Sequence, residues 1–325
     1  MRLILEKTGI LSVEEDNKVP ELKNGFVRLK VLSCAICRTD AKMWQQGHRD
    51  LLLPRVLGHE IAGIDERDQK MYAVWPGQSC GTCRYCLGGR ENLCEEMKII
   101  GFHSDGGFAS HVLVPENSLI SVPENISPEL ITFAEPAGCV CNALDMVGPK
   151  SGERVVIYGG GVVGMLAALM LRDKGCDVTV IEQSQEKISL LKVFTEKNSI
   201  ELCKDTVVAD YDLAINCCAS HIAFSLCITK LRKGGRLAFF SGLSKNEEID
   251  TNLLNLIHYK ELVITGSYGP KRNDMVQGLS FCSRHQHDVA LLIERIVSPH
   301  EVQSLLASIA VSYTHLRAHE TILPI

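Results

Sequence analysis

The run ERVVIYGGGVVGMLAALMLRDKGCDVTVIE, residues 153–182, decides the fold. ERVVIYGG reads as a fully buried strand, VVGMLAALMLRDKG as a helix and CDVTVIE as a second strand, which is one unit of a parallel sheet. At the first junction Gly159-Gly160-Gly161-Val162-Val163-Gly164 spells G-x-G-x-x-G. Gly159 allows the tight turn, Gly161 lets backbone amides approach a pyrophosphate, and Gly164 permits close packing of helix on strand. The helix that opens at Val162 and Val163 presents unpaired N–H groups and the positive end of its dipole. Glu182 ends the next strand, 21 residues past Gly161. A carboxylate there accepts hydrogen bonds from ribose hydroxyls and repels a 2′-phosphate, so NAD is expected rather than NADP. The rival reading is a glycine-rich turn in another α/β protein. The strand before, the helix after and the acid at this spacing weigh against it.

Working outward, DLAINCC, RLAFFSG and ELVITGS supply three more strand-like runs separated by helix-length segments, as in a doubly wound parallel sheet. Residues between Glu182 and Asp205 read as mostly helical and are hard to divide. Residues 1–130 have a different texture: short runs such as FVRLKVLSC and FASHVLVPE, broken by Gly, Pro and Asn, suit a small β-barrel-like domain. A chain of 325 residues is long enough for two domains. A net charge of −5 provides no basic face for nucleic acid. No uninterrupted apolar run approaches the roughly 18 residues of a membrane helix, and MRLILEKTG breaks off too early for a signal peptide. The expected compartment is the cytoplasm, where fourteen cysteines stay reduced.

Those cysteines are unevenly spread. Cys80, Cys83, Cys86 and Cys94 form Cys-x2-Cys-x2-Cys-x7-Cys in a Gly-rich loop, four soft donors able to close a tetrahedron around zinc. An iron–sulfur cluster is the rival occupant. With four thiolates no coordination position is left for substrate, so this site is structural. A second constellation is scattered: Cys37, His59-Glu60 and Glu135. Thiolate, imidazole and carboxylate form the mixed set used where zinc keeps a position open. From spacing alone, each of these residues taken singly reads more readily as structural or surface than as a ligand.

The ordered motifs Cys37-Arg38-Thr39-Asp40, Gly58-His59-Glu60, the four-cysteine lobe, Glu135-Pro136 and the Gly159–Gly164 loop together resemble the zinc-dependent medium-chain dehydrogenases, the alcohol, polyol (sorbitol) and threonine dehydrogenases. The resemblance implies a GroES-like β-barrel catalytic domain at 1–134 with a structural zinc lobe at 80–94. A Rossmann NAD-binding domain follows at 135–269, then a truncated return to the catalytic domain at 270–310, with the active site in the cleft between domains. It implies NAD as cofactor and two zincs per chain, the catalytic one held by Cys37 and His59 with Glu135 as its further carboxylate and Glu60 as a ligand or exchangeable neighbour. It further implies a homo-oligomer, dimer or tetramer. Thr39, otherwise a plain strand-end threonine, becomes the hydroxyl that relays the alcohol proton. The implied reaction is hydride transfer from a secondary alcohol or polyol to NAD. The alternatives are a threonine-type or sugar-phosphate dehydrogenase, or a truncated non-catalytic NAD-binding relative.

The chain departs from that pattern in places. Lys42 stands where polyol-type members carry a relay histidine, and Asn216-Cys217-Cys218-Ala219 replaces a common Glu-Cys-x-Gly. Trp44, Phe102 and His103 read equally as pocket lining or as framework. The tail VSYTHLRAHETILPI, residues 311–325, resembles the in-frame translation of a sequencing adapter. His315 and His319 are accordingly discounted as a helical metal pair.

Overall fold

The computed structural model describes residues 1–15, 19–243, 248–311 and 319–322. The chain divides into two compact units, Met1–Gly138 with the described residues from Pro270 onward, and Cys139–Gly269.

In the second unit the quoted run folds as strand Arg154–Tyr158, helix Val162–Asp173 and strand Asp177–Ile181. The parallel sheet has six strands, in the order Glu201–Cys203, Asp177–Ile181, Arg154–Tyr158, Tyr211–Asn216, Leu231–Phe239 and Val263–Gly266. Its direction of growth reverses between Arg154–Tyr158 and Tyr211–Asn216, so the glycine loop emerges at the crevice where such sheets bind ligands. Val155, Val156 and Ile157 are all fully buried. Both pleat faces are therefore covered, which is why the strand reads as continuously apolar rather than alternating. On one face Val156, Tyr158, Ala214 and Leu237 pack with Phe224, Cys227 and Ile228 of the helix His221–Lys230. The buried Val, Leu, Ile and Phe side chains among them each contribute roughly 1.5–3 kcal/mol. The stretch after Glu182, hard to divide in sequence, holds the helix Gln185–Lys197 and then the three-residue edge strand Glu201–Cys203. So short a strand leaves little periodicity to read.

In the first unit the organising element is the eleven-residue strand Phe26–Ile36. Its first half pairs antiparallel with His111–Pro115, and its middle and end pair with Glu60–Asp65. Alternating burial over Phe26–Leu32 gives way to full burial from Ser33 to Ile36, where the strand enters the core. Leu29, Val31, Leu57, Ile61, Phe108 and Leu306 belong to that core. The run Pro128–Val147 is long and apolar enough to cross a membrane, yet 72% of its most apolar window is buried in the protein. Of the tail, residues 312–318 and 323–325, His315 among them, lie outside the described residues. The backbone of His319–Ile322 pairs with Cys34–Ile36 and with the strand Ile293–Val297.

Candidate metal and nucleotide sites

Strand register assembles the scattered constellation. In the antiparallel ladder Ala35 lies opposite Glu60. The end of Phe26–Ile36 and the start of Glu60–Asp65 therefore meet, and Cys37 faces His59 and Glu60. One donor atom from each of Cys37, His59 and Glu60 can be chosen so that all lie within 4.8 Å of one another. Gly58, with φ +92°, makes the turn that delivers the pair. A Cβ on Gly58 would stand 2.5 Å from the Phe108 ring and 2.8 Å from Cys34 Sγ, so no larger residue fits. Glu135 sits in the first turn of the helix Ala134–Val147, where its charge acts on Glu60.

Asp40 fastens the two segments together. The helix Arg38–Gln46 begins at once after Cys37, which is its cap, and Cys37 Sγ accepts from Thr39 N at 3.5 Å. Asp40 Oδ2 accepts from Cys37 N at 2.8 Å, and its Oδ1 accepts from Gly58 N at 3.3 Å. The same oxygen lies 3.5 Å from His59 Nδ1, and Asp40 is fully buried. This carboxylate holds the loop of one donor, the turn before the other and the imidazole itself. Sequence reading quoted Asp40 without giving it a role. The available signal was an acid three residues after a cap. Thr39 is not a strand-end residue: it lies in the first helical turn, because the cap at Cys37 stops the strand.

The electrostatics describe acids that burial and one another keep from ionising. Burial and the neighbouring Glu135 push Glu60 up to about 8, against the pull of His59. Burial and Glu60 likewise raise the Cys37 thiol, opposed by His59. Burial would lower the His59 pKa, but the Asp40 carboxylate and Cys37 overcome it and hold the ring well above the ordinary histidine range. A soft sulfur, an imidazole nitrogen and a carboxylate oxygen that converge are a donor set that fits zinc.

The four cysteines of the lobe also converge, their sulfurs lying within 4.8 Å of one another. Here local backbone does the work: Cys83 N donates to Cys80 Sγ and Cys80 N to Cys94 Sγ, each at 3.3 Å. Amides and the Thr82 hydroxyl lower Cys80 to about 6, while burial and the neighbouring sulfurs raise Cys86 to about 11.

In the second unit Gly159 adopts φ +112°, and Gly161 caps the helix with open space where its Cβ would be. A Cβ on Gly164 would fall 1.9 Å from Gly159 O, so helix and loop touch backbone to backbone. Val162 and Val163 form the first helical turn. Glu182 is buried and folds back on the loop, accepting from Gly160 N at 3.0 Å and Ser184 N at 2.9 Å. Lys187 Nζ, unnoticed in sequence, lies 3.4 Å from its Oε2.

Two family profiles match the chain: the alcohol dehydrogenase GroES-like domain over residues 23–124 and the zinc-binding dehydrogenase over 162–284. A sorbitol dehydrogenase of Halalkalibacterium halodurans is 28% identical over 88% of both chains. An L-threonine 3-dehydrogenase of Rhizobium etli is 28% identical over 82% of this chain and 83% of its own. Among solved structures, a zinc-binding dehydrogenase of Sinorhizobium meliloti 1021 bound to NADP superposes with a TM-score of 0.89 at 26% identity. That match covers 99% of this chain and 98% of the other.

Proposed function

Since the chain belongs to the family of zinc-dependent medium-chain alcohol and polyol dehydrogenases, a GroES-like domain joined to a Rossmann domain, we propose that it oxidises a secondary alcohol or polyol with NAD as hydride acceptor. As an oxidoreductase of this family it uses zinc and a nicotinamide dinucleotide. The observation that carries the reading is the convergence of donor atoms from Cys37, His59 and Glu60 within 4.8 Å of one another, with His59 and Glu60 buried.

Cys37, His59, Glu60 and Glu135 would hold the catalytic metal. When bound, zinc acts as a Lewis acid that lowers the pKa of an alcohol hydroxyl into the neutral range. The protein's own groups do the rest. Asp40 fixes the orientation of His59 through Nδ1, the role carboxylates take behind ligating histidines. Thr39 Oγ1 receives the alcohol proton and passes it outward. Phe102, edge-on to the His59 ring at 5.6 Å, keeps that side of the donors dry. The amides of Gly161, Val162 and Val163 bind the pyrophosphate, and Glu182 accepts from the ribose hydroxyls and disfavours a 2′-phosphate. Cys80, Cys83, Cys86 and Cys94 would hold a second zinc without access for substrate.

A homo-oligomer is supported by the outer sheet strand Val263–Gly266, whose far edge pairs with no described strand and which carries the exposed Val263. Fourteen free thiols favour the cytoplasm. We also assign the sequence from Val311 to an adapter translation. Genomic resequencing across that codon tests it, and an unbroken native read through His319 would refute it.

Purified zinc-replete protein should bind two zincs per chain and reduce NAD in preference to NADP on a panel of polyols, threonine and sugar phosphates. One zinc per chain, or no reduction with any alcohol, would overturn the reading.

A further inference from the structure

One wall near the donors is unused by the metal chemistry. Phe102 touches His59 on one side, and the His48 ring stands edge-on to it at 5.4 Å on another. The His48 and His59 centroids are therefore at most about 11 Å apart. Phe102 is itself fixed, since its carbonyl accepts from Leu52 N at 3.1 Å and its N–H reaches Ile99 O at 3.1 Å.

Two histidines on this wall are locked in one tautomer. Asp50 N donates to His48 Nδ1 at 3.2 Å, and Ile99 N donates to His103 Nδ1 at 3.0 Å. A backbone amide can only donate, so each Nδ1 is an acceptor and each neutral ring carries its proton on Nε2. The Asp50 carboxylate, 3.6 Å from the same His48 nitrogen, does not change that assignment, and it also engages Arg49 at 3.3 Å. The Lys42 ammonium makes no hydrogen bond or ion pair among the described residues. Lys42, Arg49 and His103 are close enough to act electrostatically on His48. After burial, these three depress its basicity, with Asp50 as the opposing charge.

The wall thus offers an ammonium and two N–H donors, while the Asp50 carboxylate beside them is already paired with Arg49. Neutral hydroxyls ask for acceptors as well as donors, whereas an anion asks for donors and positive charge alone. We propose that Lys42, His48 and His103 recognise an anionic group, a phosphate or a carboxylate, at the far end of the alcohol whose hydroxyl reaches Cys37, His59 and Glu60. The span suits an extended sugar alcohol with a charged terminus. This rests on the dehydrogenase reading and narrows its substrate to anionic alcohols.

Initial rates on the zinc-loaded full chain with sorbitol, sorbitol 6-phosphate and gluconate compare one carbon skeleton with no anion, a phosphate and a carboxylate. At least one anionic form should exceed sorbitol in kcat/KM by about tenfold or more, and the preferred form identifies the group. Lys42→Gln should shrink that ratio by about tenfold, equivalent to about 1.4 kcal/mol, mainly through KM, and Lys42→Arg should restore most of it. Inorganic phosphate should compete with the alcohol and bind more weakly to Lys42→Gln by calorimetry. Equal efficiency for all three substrates, an unchanged ratio in Lys42→Gln, or phosphate competing with NAD instead would overturn the assignment. If no alcohol turns over, the dehydrogenase reading fails by itself, and phosphate calorimetry still judges the wall.

Discussion

The two cysteine-bearing sites are built on opposite plans. The lobe draws four identical donors from one stretch, Cys80 to Cys94, and orients them with amides of the same stretch. The other site draws unlike donors from a strand end, a turn and a helix start, and relies on Asp40 and the register Ala35 opposite Glu60 to bring them together. The first is stored in local sequence and the second in the fold. A local site can be lost alone, whereas a distributed site should fail with any contact that aligns its parts.

The sharpest way to break the comparison is at the donors. Cys37→Ser or His59→Asn should lower kcat/KM by about a thousandfold or more, removing the catalytic metal while the lobe metal stays. Metal analysis alongside turnover checks this, and equal loss of both metals would make the two sites one unit. Asp40→Asn keeps the shape but removes the charge behind His59. It should weaken catalytic metal binding about 10–100-fold, measured by competition with a chelator. An effect as small as that of a surface substitution would show the register alone suffices.

How much of this was legible before folding follows the same division. Cysteine spacing and the run at 153–182 announced themselves because every residue concerned lies within a few turns of chain. Cys37, His59 and Glu60 stood out by residue type but were assigned as ligands only through resemblance, since strand register, which makes them neighbours, leaves no local trace. Asp40 and Lys187 went unassigned because a short acid near a cap and a lysine on a helix are ordinary until their partners are known. Thr39 was misplaced because a capping cysteine looks like the last residue of a strand.

Two smaller effects sharpen the contrast. Cys83→Ser should free the lobe metal and lower the thermal midpoint by about 5 °C or more, while the catalytic metal is retained. Metal content before and after heating checks both halves. The pH response belongs to the buried site. In the metal-free chain Glu60 titrates at about 8 when folded, against 4.5 in its ordinary state. Folded protein then holds a proton that unfolded chain releases, so Glu60's contribution to stability is greatest below pH 4.5 and falls as pH rises towards 8. Denaturant melts of chelator-treated protein should show that decline, and Glu60→Gln should flatten it. Zinc should flatten it too, by favouring the carboxylate.

The compactness of the cysteine loop also sets an order of events during synthesis. Once Cys94 has left the ribosome, all four thiolates of the lobe are present and can capture zinc on an unfinished chain. The catalytic donors are not complete until Glu135 has emerged, and they are not aligned until the strands bearing Ala35 and Glu60 have paired. On the proposed assignment, a chain made where zinc is scarce would meet the metal at the lobe first.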